Sequence, residues 1–209
     1  VPEPRTEAAD EPPSWRIVAL GDSLTAGYGL SSKQAFPPQL EKALKARGIM
    51  AEVINAGVSG DTTADGLARL EGALAEQPDL VIVEFGANDA LRGLPPEAAA
   101  ANLDTILSRL QEKNIQALLT GMVAPRNFGP EYYNNFNAIY PRLAERYGIP
   151  LYPFFLEGVA GDPALNRRDG LHPTAAGVKV IVQRILPLLL ETLGRMQEKR
   201  SATNRKKQP

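Results

Sequence analysis

Ile17-Val18-Ala19-Leu20-Gly21-Asp22-Ser23-Leu24-Thr25-Ala26-Gly27-Tyr28-Gly29 is the stretch that decides how this chain folds. Ile17 to Leu20 is a short apolar run with β-branched members, which predicts a buried strand, and it stops abruptly at a Gly-Asp-Ser turn. Ligands in open α/β sheets collect outside the carboxyl ends of the strands, so a serine thrown off this strand end is placed for chemistry. The segment is not the G-x-S-x-G elbow of the α/β-hydrolases, because Thr25 stands where that motif needs glycine.

A serine hydroxyl is a poor nucleophile until a base takes its proton. The chain has a single histidine, His172, in Asp169-Gly170-Leu171-His172-Pro173. An aspartate three residues before it lets one loop carry both the base and the carboxylate that orients the imidazole. A lone histidine is more often a surface or satisfied core residue. Here it follows a candidate acid, precedes a helix started by proline and complements a strand-end serine, and Ser23, Asp169 and His172 are read as a nucleophile, acid and base.

Two other stretches end strands in the same way. Asn55-Ala56-Gly57-Val58-Ser59-Gly60-Asp61-Thr62 follows Ala51 to Ile54, and Gly86-Ala87-Asn88-Asp89 follows the apolar run Leu80 to Phe85. Acyl transfer through a tetrahedral intermediate needs donors aimed at the developing oxyanion. The backbone N–H of Gly60, the side-chain amide of Asn88 and the N–H of Ser23 are candidates. Taken singly, Gly60 and Asn88 read equally well as turn residues, chosen for positive φ or for side-chain bonds to the backbone.

Gly21-Asp22-Ser23-Leu24, Gly60, Gly86-Ala87-Asn88-Asp89 and Asp169-Gly170-Leu171-His172 stand in the order of the four blocks of the GDSL, or SGNH, hydrolases, which the chain resembles over about residues 15 to 195. Gly60-Asp61-Thr62, the run Asn88 to Gly93 and Tyr140-Pro141-Arg142-Leu143-Ala144 look like the bacterial arylesterase, thioesterase and lysophospholipase branch. The resemblance implies a cofactor-free esterase in which Ser23 is nucleophile, His172 base, Asp169 orienting acid, and Ser23, Gly60 and Asn88 the oxyanion donors. It also implies an exported, periplasmic enzyme; that the chain starts at Val1 and not at methionine fits removal of a signal or a trimmed start equally. A carbohydrate O-deacetylase and a non-catalytic SGNH-like binding domain are the alternatives. Four intact machinery residues argue against the second.

Apolar runs and helical patterns alternate along the chain. Helices are predicted over 34–46, 62–76, 95–113, 131–147 and 173–196, and strands over 116–121 and 149–152 besides those above. The alternation reads as an α/β protein, a parallel sheet with helices on both faces. The resemblance adds a five-stranded sheet in flavodoxin-like order, the three-layer α/β/α sandwich of the SGNH fold. Leu91, Arg92, Pro125, Arg126 and Phe154 fall in loops expected to rim the serine. An apolar rim suits an acyl chain or aryl group better than a sugar. The two arginines read either as phosphate contacts or as solvated charges, and the phenylalanines near 154 as rim or core.

The 209 residues amount to one domain, 44% hydrophobic, with a formal net charge of -1 that argues against nucleic acid as a partner. No apolar run is long enough to span a membrane, and the absence of cysteine excludes disulfides and thiolate metal sites. Residues 1–14, rich in proline and acids, are expected to be a disordered arm, 15–196 the catalytic domain, and 197–209 a disordered basic tail. The tail reads as a solvated segment, or more sharply as a weak contact for anionic lipid.

Overall fold

The apolar runs become a parallel sheet because strands buried on both faces need no polar alternation. The computed structural model describes residues 14–207, so residues 1–13 of the arm expected over 1–14, and 208–209 of the expected tail, lie outside the described residues. In chain order the elements are β1 (Trp15–Gly21), α1 (Ser23–Ala26), α2 (Phe36–Ala46), β2 (Ala51–Gly57), α3 (Thr63–Ala68), α4 (Leu70–Leu74), β3 (Leu80–Glu84), α5 (Ala87–Leu91), α6 (Pro96–Glu112), β4 (Gln116–Thr120), α7 (Gly129–Asn137), α8 (Ile139–Tyr147), β5 (Leu151–Tyr152) and α9 (Ala175–Lys207).

All pairings are parallel and the strand order is β2-β1-β3-β4-β5, the flavodoxin-like arrangement expected. β1 lies between β2 and β3, and every β3 residue is buried. After β2 the chain crosses back over β1 to begin β3, so the order of winding reverses between β1 and β3. That reversal opens a crevice at their carboxyl ends, where Ser23 and Asn88 follow the strands. On the flanks, α2 packs on α9, while α6 packs on α3, α7 and α8. The apolar stripe of α9, from Val178 through Ile181, Val182, Ile185 and Leu189 to Leu193, is buried in the core as its spacing predicts.

Three helix boundaries inside the domain differ from the expectation. The helix expected over 62–76 breaks at Arg69, whose φ of -107° and ψ of 9° leave the helical range. The side chain there turns back into the strand-end loops. The helix expected over 131–147 divides at Ala138 into α7 and α8. Pro141 has no N–H to offer the Asn137 carbonyl, which weakens the ladder at that junction. The helix expected from Gln34 starts at Phe36, after a separate 3-10 turn at Ser32–Gln34.

The largest correction is at the carboxyl end. Residues 197–207 are not a disordered tail: α9 continues through them to Lys207. The cause is a tertiary contact that composition does not show. The Arg200 guanidinium lies 3.9 Å from the ring centre of Trp15 and pairs with Asp79, whose other oxygen accepts the Arg16 N–H at 2.8 Å. The last turns of α9 are thereby tied to the amino ends of β1 and β3. Pro187 sits inside the helix on its exposed side, where the Gln183 carbonyl it leaves without a donor faces water.

Arg200→Ala should therefore lower the melting temperature by about 2 to 4 °C, the shift that roughly 1 kcal/mol produces in a protein of this size. Scanning calorimetry of the two proteins checks it, and turnover at 25 °C should be unaffected.

Candidate active site

Each strand-end loop places one part of the site. After β1, Asp22 caps α1 by accepting the Leu24 N–H at 2.9 Å, and Gly27, at φ 85°, ends that single turn in the left-handed conformation. Ser23 is the first residue of the turn and is nearly buried. After β2, the loop reaches Gly60, at φ 89°, and Thr62 caps α3 in a reciprocal box with Asp65. After β3, Gly86 at φ 123° turns the chain into α5, and a Cβ there would run into the Tyr140 hydroxyl. Asn88 follows on that helix.

The fourth loop carries Asp169 and His172. His172 Nε2 lies 2.9 Å from Ser23 Oγ, across 149 residues of sequence, and its Nδ1 lies 2.6 Å from Asp169 Oδ2. The other Asp169 oxygen accepts the N–H groups of Leu171 at 2.9 Å and His172 at 3.0 Å. Hydrogen bonds from the His172 ring first, then from these two backbone donors, hold the Asp169 carboxyl well below the usual carboxylate range. The loop is braced by an isolated bridge between Asn166 and Pro173 and by the bond from Arg167 N–H to the His172 carbonyl at 2.8 Å. Tyr28 covers the imidazole, its ring centre 4.5 Å away and tilted by 41°.

Two groups that sequence reading missed lock these loops together. Arg69 reaches Asp61 at 2.5 Å, the Ala56 carbonyl at 2.8 Å and the Gly21 carbonyl at 2.8 Å. It joins the ends of β1 and β2 in one guanidinium fork. Asp89 is buried and accepts both the N–H and the hydroxyl of Thr63, at 2.9 and 2.8 Å, fixing α5 against α3. Burial pushes the Asp89 carboxyl up in pKa, and the Thr63 bonds oppose that shift. The only sequence signal for either was a charged residue beside an otherwise small and apolar motif.

A cleft of about 340 Å³ opens over Ser23, Asn88 and His172. Leu91, Pro125 and Phe154 line it, joined by Met122, Val123 and Leu156. Arg92 and Arg126 do not line it. Arg92 Nη2 instead donates to the Gly60 carbonyl at 3.1 Å, and the Arg126 guanidinium lies 4.2 Å from the ring centre of Tyr133. In both cases a nearby acceptor or ring face draws the charge away. Gly60 lies outside the cleft lining, but its loop is attached to Asn88, whose Nδ2 donates to the Asp61 carbonyl at 2.8 Å. Among the described residues no cluster of His, Asp or Glu could hold a metal ion.

Residues 19–180 match the family model described as GDSL-like Lipase/Acylhydrolase family. The chain belongs to this family. As a GDSL family member it is 43% identical over 161 residues to an arylesterase of Vibrio mimicus, covering 77% of this chain and 80% of that protein. It is 41% identical over 170 residues to thioesterase 1/protease 1/lysophospholipase L1 of Escherichia coli K12, covering 81% and 78%. Among solved structures, AlinE4, an SGNH-hydrolase family esterase, is 50% identical with a TM-score of 0.73, covering 87% of this chain and 97% of its own. TesA superposes with a TM-score of 0.79 at 38% identity, covering 83% and 97%.

The depressed Asp169 pKa has a sign that can be tested. A carboxylate whose folded value lies below its unfolded value of about 3.9 keeps its contribution above that value and loses it only as pH falls through the folded one. The downfield proton resonance of the His172 Nδ1–H to Asp169 bond should thus persist in the folded protein as pH is lowered through 4. Its disappearance with a midpoint in the ordinary carboxylate range, while the protein remains folded, would contradict the geometry.

Proposed function

We propose that this GDSL hydrolase is a serine esterase that cleaves carboxylic esters with apolar acyl or aryl groups through an acyl-enzyme. The 2.9 Å approach of His172 Nε2 to Ser23 Oγ carries the reading. His172 takes the serine proton as Oγ attacks the ester carbonyl, and Asp169 keeps the Nδ1 proton in place and balances the imidazolium that forms. The N–H groups of Ser23 and Gly60 and the Asn88 amide stabilise the oxyanion. Asn88 gives one N–H to the Asp61 carbonyl and retains a second for substrate. The imidazolium then protonates the leaving alkoxide or phenoxide, and water, activated by the same histidine, releases the acid.

The lining of the cleft supports the substrate class. It is apolar beyond the machinery and Asn166, and no lysine or arginine lines it. A sugar would meet few hydroxyl partners there, and a phosphate none that is cationic. Thioesters and lysophospholipids, which the names of relatives mention, would bind through their acyl parts alone. Nitrophenyl esters from acetate to palmitate, assayed beside acyl-coenzyme A and acetylated sugars, test the ranking, and the aryl esters should be fastest.

An organophosphonate should label Ser23 once per chain and abolish hydrolysis, and Ser23→Ala should lose both label and turnover. Mass spectrometry of the labelled peptide checks the site. Turnover in Ser23→Ala at about a tenth of wild type would sink the nucleophile assignment, since losing a nucleophile costs several orders of magnitude.

Asn88→Ala should lower kcat about 100- to 1,000-fold per titrated site with little change in KM. The lost Asp61 bond should also cost about 1 kcal/mol of stability. Steady-state kinetics on one aryl ester, normalised by active-site titration, separates the two effects. Stability loss with normal turnover would leave Asn88 as a loop brace only.

A further inference from the structure

Two carboxyl groups lie beneath the Ser23 turn and take no part in the reaction described above. Asp22 is 0% exposed and Glu84 is 1% exposed. Sheet register brings them together: Gly21 of β1 pairs with Glu84 of β3, and Asp22 is the next residue after Gly21. One oxygen of each is committed. Asp22 Oδ1 accepts the Leu24 N–H at 2.9 Å, and Glu84 Oε1 accepts the Thr25 hydroxyl at 2.8 Å. The remaining oxygens, Asp22 Oδ2 and Glu84 Oε2, are buried without any donor. The two side chains lie within hydrogen-bonding reach of each other.

Two ionised carboxylates cannot share such a site, since each would raise the energy of the other in a medium that screens poorly. One proton resolves both problems. It removes a charge and supplies the donor that two orphaned acceptors lack. We propose that Glu84 is that carboxylic acid and donates to Asp22 Oδ2, making Glu84 a positioning residue that fixes the helical turn carrying Ser23 and leaves a single negative charge, on Asp22, behind the serine and His172.

The surroundings select Glu84 as the proton holder. Burial lifts Asp22 to about 6, opposed by the Leu24 N–H, the Glu84 side chain and His172, which favour its charge, with Asp61 adding to the rise. Glu84 faces Asp22, the Thr25 hydroxyl and, farther off, the Tyr140 phenol. The Arg69 guanidinium donates to the Gly21 carbonyl and is paired with Asp61. Burial, followed by the Asp22 charge, pushes Glu84 well above the usual carboxylate range. A group raised in this way contributes stability in full below its unfolded value of about 4.3 and loses it as pH rises through the folded one. Ionisation of Glu84 at alkaline pH sets two anions against each other under the turn, and kcat falls there.

The test uses the full chain and three readouts. Glu84→Gln replaces the acid with an amide that donates from Nε2 to Asp22 Oδ2 and still accepts from Thr25. It should keep kcat near wild type and lose the alkaline fall. Glu84→Leu should lower kcat by about ten- to a hundredfold, the cost of a misplaced reacting group, with KM little changed. Infrared spectroscopy at neutral pH should show a buried carboxylic-acid C=O band in wild type that is absent in Glu84→Gln, and this holds even if Glu84→Leu does not fold. A Glu84→Gln enzyme as impaired as Glu84→Leu, or an infrared spectrum without that band, overturns the proposal. The kinetic arms rest on the serine esterase reading and the infrared arm does not. Failure of that reading would appear as turnover surviving in Ser23→Ala while the band remained.

Discussion

The parallel pairing of β1 with β2 on one side and β3 on the other is the constraint on which the rest of the molecule depends. A strand in that position has no free edge and no exposed face, so Ile17, Val18, Ala19 and Leu20 are all buried. The chain can leave it only at its carboxyl end, and there it must begin a helical turn at once. Asp22 and Ser23 are that turn. The reversal of winding between β1 and β3 then keeps other strands away from the spot, and substrate has access to it.

What holds the strand ends at working distance is polar and mostly buried. Arg69 binds Asp61 and two carbonyls from different strands, Asp89 binds Thr63, and Tyr140 donates to the Phe85 carbonyl at 2.8 Å. Each satisfies groups that would otherwise be stranded where strands stop and helices have not yet started. Such bonds are directional, and a few of them specify loop geometry better than apolar packing does. The His172 loop contributes its own bracing. His172 therefore reaches Ser23 from a segment that shares no strand with it.

Above this polar layer the cleft is apolar, and the contrast is chemically useful. On the proposed reading, charge develops at the ester carbonyl beside backbone and amide donors, and Leu91, Met122, Pro125 and Phe154 offer the acyl group an apolar wall. The arginines nearest the rim are occupied elsewhere, by the Gly60 carbonyl and the Tyr133 ring. No lysine or arginine lines the cleft, so on the proposed reading selection falls to shape and hydrophobic fit.

By itself the sequence determined the strands and most of the helices, and it singled out Ser23, Asn88, Asp169 and His172, which the fold brings together at one cleft, because strand runs and strand-end turns are local patterns and the chain has a single histidine. Four things waited for tertiary structure, since each depends on a contact that only folding makes. The helix extension to Lys207 depends on Trp15 and Asp79, and the break at Arg69 on carbonyls of β1 and β2. The turning away of Arg92 and Arg126 depends on Gly60 and Tyr133. Glu84 looked like the polar end of an apolar strand, and only the register of β3 on β1 sets it beside Asp22, where burial and a second carboxyl change its chemistry.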